Sequence, residues 1–260
     1  MMEIRRVKTL VSHFRDFSTI VQFAFRHPGK FIRLTKIRAG HLTYLDLAAL
    51  IDLHKAVAEI EHLQIPGIII EAGCALGGSA LVITSAKHLS RKLIIYDTFQ
   101  MIPPPSDMDG RDAHTRYREI IHGKSKGLGN NLYYGYQGNL VEQIRKTFLK
   151  FGYPIENNEV ELVKGLFQDQ LHPTEPIALA HLDCDWYDSV LVCLNRIIPH
   201  MVDGGIIVLD DYEHWSGAKQ AVDEYFDPQR RQEFRFFHRS RLYIQKCAKI
   251  DDCPPKVNRN

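Results

Sequence analysis

The chain has 260 residues, 45% of them apolar and 25% charged, a globular composition that excludes disordered, collagen-like and coiled-coil chains. Lys and Arg number 33 against 31 Asp and Glu, and a net charge of +2 gives no general attraction to polyanions. Five cysteines (Cys74, Cys184, Cys193, Cys247, Cys253) without a CxxC pair indicate neither a disulfide scaffold nor a zinc knuckle, and they fit a reducing cytoplasm.

The charge is unevenly placed. The first 45 residues carry nine basic side chains (Arg5, Arg6, Lys8, Arg15, Arg26, Lys30, Arg33, Lys36, Arg38) against Glu3 and Asp16, which leaves the other 215 residues acidic. Apolar residues at Val7, Leu10, Val11, Phe14, Phe17, Ile20, Val21 and Phe25 approximate a helical stripe, and His27-Pro28-Gly29 breaks it. The apolar run over 17–25 is interrupted by Ser18, Thr19 and Gln22, is too short to span a bilayer, and is not followed by a small-residue cleavage site. A second helix is expected over 43–63, ended by Pro66-Gly67.

From residue 68 the pattern changes to short apolar runs, at 68–72, 93–96, 160–163, 177–182 and 206–209. Amphipathic stretches at 79–88, 140–151, 189–201 and 218–226 alternate with them, the signature of βαβ units and a mostly parallel sheet. Runs at 234–237 and 241–245 around His238-Arg239-Ser240 predict a closing hairpin, for seven strands in all. The organisation is a basic helical extension (1–66), an α/β domain (67–248) and a tail (249–260). One connection, 98–138, includes Pro103-Pro104-Pro105 and Gly123, Gly127 and Gly129; at that length it is expected to be a lid or a binding loop, or else disordered.

Three places carry candidate chemistry. Glu71-Ala72-Gly73-Cys74-Ala75-Leu76-Gly77-Gly78-Ser79 lies where the first strand turns into a helix, where glycines let a ligand approach the backbone. Its G-x-x-x-G-G spacing lacks the dinucleotide fingerprint, so a tight turn without a ligand fits it as well. Tyr96-Asp97-Thr98 ends the second strand about twenty residues on; an acid there can accept hydrogen bonds from both ribose hydroxyls of a nucleoside, or simply form a turn. The third is His181-Leu182-Asp183-Cys184-Asp185-Trp186-Tyr187-Asp188 with Leu209-Asp210-Asp211-Tyr212. A right-handed crossover would set these strand ends side by side and bring Asp183, Asp210 and Asp211 together as a hard oxygen site suited to Mg²⁺, unless the acids merely cap helices and turns.

Residues 68–246, through EAGCALGGS, YDTF, KGLFQDQL, LDCDWYDS and VDGGIIVLDDYEHWSGAKQAVDEYF, resemble the macrocin O-methyltransferase family of class I S-adenosylmethionine-dependent sugar O-methyltransferases. The resemblance implies a Rossmann-like α/β fold with strand order 3-2-1-4-5-7-6. It implies S-adenosylmethionine bound around Glu71, Gly73, Gly77, Gly78, Ser79, Asp97, Thr98, Phe167, Gln168 and Asp183, a divalent cation on Asp183, Asp210 and Asp211, and Asp185 as general base. His214 follows the Asp210-Asp211 pair and is a rival base, although it reads more readily as a polar rim residue. Cys74-Ala75-Leu76 and the triple proline depart from the family pattern and bear on the acceptor.

The function expected is metal-assisted methyl transfer to a hydroxyl of a sugar or glycosylated small molecule. A catechol or phenol acceptor, an NAD-dependent sugar oxidoreductase and a non-catalytic scaffold are the alternatives. No nucleic-acid module is visible, and a homo-oligomer, formed through the basic extension, is expected. His181, inside an apolar strand, reads as a satisfied core histidine, and Trp186, Tyr187 and Trp215 as stacking surfaces or packing under a loop.

Overall fold

Three of the apolar runs show no polar alternation, and such runs are stable only where both faces of a strand are covered. In the computed structural model, which describes residues 15–248, they are β1 (Ile68–Ala72), β2 (Leu93–Asp97) and β4 (Ile177–Leu182), and all their residues are buried. With β3 (Val160–Lys164), β5 (Met201–Leu209), β6 (Phe234–His238) and β7 (Leu242–Lys246) they form one seven-stranded sheet in the order β3-β2-β1-β4-β5-β7-β6. The pairs from β3 to β5 are parallel, and β7 runs antiparallel to both β5 and β6. This is the expected class I methyltransferase architecture. The chain order reverses between β1 and β4, and the crevice at such a switch point is where open α/β sheets bind ligands.

The helices differ more from expectation. A helix over 15–26 (α1) is followed after one residue by α2 (Pro28–Ala39). Pro28 was expected only to break a helix, but it occupies the first turn of the next one, where its missing N–H costs nothing. Helix α3 (Leu47–His62) starts four residues later than expected: the Thr43 hydroxyl accepts from Leu45 N at 3.1 Å, holding a turn, and the Asp46 carboxylate accepts from Ala49 N at 2.9 Å as N-cap. Ten of its residues are buried, and it packs on α4 (Gly78–Ala86), β4 and β5 as a layer of the sheet. Strand β5 begins at Met201, ahead of the expected start, because a register irregularity around Gly204 (φ 78°) absorbs what reads as a turn. The remaining helices are α5 (Arg111–Ile121), α6 (Leu140–Lys150), α7 (Phe167–Gln170), α8 (Tyr187–Ile197) and α9 (Ser216–Tyr225). The stripe expected over 7–14 and the tail 249–260 lie outside the described residues. Cys74, Cys184 and Cys193 are free thiols; Cys247 is disulfide-bonded, which the thin cysteine usage did not lead us to expect. Among the described residues no helix is long and apolar enough to cross a membrane.

The helical extension joins the core through a histidine. His54 of α3 is 2% exposed, lies edge-on to Phe23 of α1 at 5.5 Å, and has no hydrogen-bond partner on either ring nitrogen among the described residues. Burial, with smaller help from Lys30, His27 and Arg33, lowers its pKa to about 4. The folded value lies below the unfolded one, about 6.5, so the neutral ring's contribution is complete above pH 6.5 and is lost as pH falls toward 4. That window is worth about 3 kcal/mol. Urea titrations across it should show His54→Leu losing less stability on acidification than the wild type by about that amount. Superimposable acid limbs would rule the histidine out as the cause.

Candidate active site

A cavity of about 360 Å³ opens at the carboxyl ends of β1, β2, β4 and β5, the switch-point crevice. One wall is the turn after β1. Gly73 has φ +86°, and a Cβ there would lie 1.9 Å from the carbonyl oxygen of Asp183, so only glycine lets the ends of β1 and β4 come this close. Asp97, at the end of β2, ties the turn down: Oδ2 accepts from the amides of Cys74 (2.8 Å) and Ala75 (3.2 Å), and Oδ1 from Phe99 N (2.7 Å). Burial raises the Asp97 pKa against these donated bonds. Asp97 therefore does form the turn, and it still lines the cavity. Thr98, Phe167, Gln168 and Asp183 line the same cavity.

The other residues expected near the cofactor lie behind the wall. Glu71 is fully buried in β1, with Oε1 3.1 Å from His181 Nδ1 of β4. Glu71 Oε2 and His181 Nε2 have no partner among the described residues, so His181 is a core histidine satisfied on one side only. Gly77, Gly78 and Ser79 do not face the cavity. A Cβ on Gly77 would press on the Ile144 side chain of α6 at 3.2 Å and one on Gly78 on the Leu42 carbonyl at 2.4 Å, so it is protein, not the cavity, that lies against these glycines, and at Gly78 backbone packing requires one. Ser79 is buried inside α4.

In the same cavity the acids converge. Carboxylate oxygens of Asp183, Asp210 and Asp211 lie within 4.8 Å of one another, from the ends of the neighbouring strands β4 and β5. Burial raises the pKa of Asp183 and of Asp211, and the neighbouring carboxylates raise both further. Asp185 stands beside them with φ 59°, in the left-handed region that disfavours side chains. Its amide donates to Asp211 Oδ2 (2.8 Å), and its Oδ1 accepts from Trp215 Nε1 (2.7 Å). Burial pushes Asp185 up to about 6, against the pull of the Trp215 bond. His214 lies exposed at the cavity rim, its Nδ1 3.1 Å from the Asp210 carbonyl.

The long connection after β2 closes the cavity and is more ordered than its sequence shows. It contributes Ile102, Pro103, Arg116 and Ile120, the last two from α5, with Tyr133 and Tyr134. Tyr133 and Tyr134 pack at 4.5 Å, and Tyr44 meets Tyr134 at 6.1 Å. Three clusters of bonds fasten this lid beside the acids: Trp186 Nε1 donates to the Pro103 carbonyl (2.9 Å), Tyr187 N to Asp109 Oδ1 (2.8 Å), and Ser216 N and Oγ to the Asp112 carboxylate (2.8 and 2.7 Å). Trp186 is thus a lid anchor and Trp215 a holder of Asp185. Arg241 was missed by sequence reasoning, and so was the tyrosine wall. Tyr133-Tyr134-Gly135-Tyr136 was a visible signal for the wall; Arg241 offered none.

Residues 40–233 match the family model described as macrocin O-methyltransferase (TylF). The chain belongs to that family. It is therefore an S-adenosylmethionine-dependent O-methyltransferase, and the oxidoreductase and scaffold alternatives fall away. The methyltransferase is 28% identical over 190 residues to the 8-demethyl-8-(2,3-dimethoxy-alpha-L-rhamnosyl)-tetracenomycin-C 4'-O-methyltransferase of Streptomyces olivaceus, covering 70% of this chain and 67% of that protein. It is 27% identical over 191 residues to the demethyldecarbamoylnovobiocin O-methyltransferase of Streptomyces niveus, with the same coverage of 70% and 67%. Among solved structures it is similar in fold to the O-methyltransferase NovP (TM-score 0.64, 23% identity, 79% of this chain and 82% of that one). It is also similar to the calicheamicin methyltransferase CalS11 (TM-score 0.58, 16% identity, 90% and 92%).

Proposed function

We propose that this enzyme transfers a methyl group to a hydroxyl of a sugar or glycosylated small molecule with the help of a divalent cation such as Mg²⁺. The observation that carries the reading is the convergence of Asp183, Asp210 and Asp211 within 4.8 Å, next to Asp185, in the cavity that the Gly73 turn also lines. Carboxylates at that spacing, one buried and two half-buried, repel one another unless a cation joins them, and an all-oxygen set suits a hard ion. Such an ion, held by these three acids, would supply acidification of a hydroxyl it coordinates.

The chain's own residues do the rest. Gly73, Ala75, Asp97, Phe167 and Gln168 bind the donor on one side of the cavity. Asp185 takes the hydroxyl proton at a carboxylate oxygen, held in place by Trp215 and by its own amide on Asp211. The lid excludes water, and its tyrosines, with Tyr44, offer ring faces to the sugar; the tetracenomycin relative is named for a rhamnosyl compound. The same ring faces fit a catechol, so turnover on a glycoside panel against a catechol panel decides between the two acceptors. Stripping the enzyme with EDTA should lower turnover by roughly 100-fold or more, with recovery on adding Mg²⁺. Undiminished turnover after chelation would sink the metal reading.

The extension serves a second role in this proposal. Phe17, Val21 and Phe25 of α1 are 66%, 48% and 90% exposed along one helical stripe, a face that fits self-association. Sedimentation of the wild type beside Phe25→Glu tests it: a monomer in both would remove the idea.

A further inference from the structure

We propose that Arg241 is a resident counter-ion of the acid cluster: it holds Asp210 in place and keeps the cradle assembled before any metal binds. The inference rests on the metal reading above. Four carboxylates, Asp183, Asp185, Asp210 and Asp211, line one end of the cavity. Among the described residues Arg241 is the one side chain that forms an ion pair with any of them. Its Nε donates to Asp210 Oδ1 at 2.6 Å, with both side chains nearly out of solvent at 13% and 12% exposure.

The guanidinium is itself held from behind. Its Nη1 reaches Asp46 Oδ2 at 3.2 Å, the same carboxylate whose other oxygen caps α3. The two residues before it are fastened to the same helix. Ser240 N donates to Asp52 Oδ2 (3.0 Å), and Arg239 Nη2 pairs with Glu59 Oε2 (2.8 Å). The turn between β6 and β7 is thus bound at three successive residues to acids spaced along α3, and Arg241 cannot swing away without breaking that set.

Two consequences follow from the geometry. One lone pair of Asp210 Oδ1 is committed to Arg241, which leaves Oδ2 as the freer oxygen of that residue for a cation. The cluster also carries a built-in positive charge, so the protein stays folded when the metal is absent. Arg241 does not touch the reacting atoms; it is a positioning residue.

The test is calorimetric melting of the full chain at pH 7.5, as wild type, Arg241→Met, Arg241→Lys and Asp46→Asn, each in EDTA and in excess MgCl₂. The metal-free Arg241→Met protein should melt about 4–8 °C below the metal-free wild type, because a buried carboxylate loses its partner. Mg²⁺ should return most of that loss, since a second cation can take over the repulsion. Arg241→Lys, which keeps the charge, should lie between them. Asp46→Asn still caps α3 but removes the carboxylate behind the guanidinium, so in EDTA it should melt between the wild type and Arg241→Met. The proposal is overturned if Arg241→Met melts with the wild type in EDTA. It is equally overturned if the deficit survives Mg²⁺ while titration calorimetry shows the wild type taking up the ion. If the wild type takes up no Mg²⁺ at all, it is the metal reading that fails.

Discussion

Asp185→Asn should bind S-adenosylmethionine as the wild type does and lose a factor of about 10²–10⁴ in kcat. The variant is a clean one for structural reasons. Asp185 has φ 59°, and asparagine is among the few side chains that tolerate this region. Its amide N–H can still donate to Asp211, and the Asn carbonyl can still accept from Trp215 Nε1, so both contacts that hold the residue survive. What disappears is the capacity to take a proton. Burial holds the Asp185 carboxyl near 6, closer to working pH than an ordinary aspartate, as a general base requires. Isothermal titration with the donor and steady-state rates on a responsive acceptor separate binding from chemistry. His214→Gln is the companion variant: on the rim, bonded only to backbone, it should keep most of its rate. Near wild-type turnover in Asp185→Asn with collapse in His214→Gln would exchange the two roles.

Gly73→Ala should be the most damaging single-methyl change in the donor loop, costing at least about 3 kcal/mol and abolishing donor binding. The backbone alone disfavours it, since φ is +86°, a region that costs a side chain roughly 1 kcal/mol or more. The larger part is steric: the new carbon would sit 1.9 Å from the Asp183 carbonyl, which is backbone and cannot turn aside. The ends of β1 and β4 must separate, and with them the donor turn and the acid cluster. Gly77→Ala makes the contrast. Its φ is +81°, yet the nearest atoms belong to the Ile144 side chain at 3.2 Å, so it should lose only about 1 kcal/mol. Urea unfolding of the pair, with donor titrations, checks the order. Equal losses would mean that backbone conformation, and not the close approach, sets the requirement.

Physical reasons separate what could be read in the sequence from what could not. Strands β1 and β4 were legible to the residue because two-sided burial leaves uninterrupted apolar runs with sharp ends. The acid cluster was legible for the same reason: an apolar run that stops in Asp183 or in Asp210-Asp211 marks a strand end, and a parallel crossover puts such ends together. Helix α2 was hidden because proline in a first turn starts a helix with the same letters that break one. Helix α5 was hidden because only Ala113 and Ile120 are buried in it, too few for a stripe. The glycine loop was found, but its letters do not say whether a ligand or the protein presses on each glycine; only Gly73 faces the cavity. Arg241 pairs with residues 31 and 195 positions away, and no local pattern encodes such a meeting.

The hydrogen bonds from Trp186, Tyr187 and Ser216 to the lid have a bearing on how acceptor range can change in evolution or by design. The segment that shapes the acceptor side is riveted to the two loops that carry the acids, through Pro103, Asp109 and Asp112. A chimera that imports a relative's lid without counterparts to Asp109 and Asp112 would leave the amides of Tyr187 and Ser216 unpaired and slacken the loop bearing Asp185. New acceptors are therefore more readily gained by exchanging side chains between the rivets than by transplanting the whole cover.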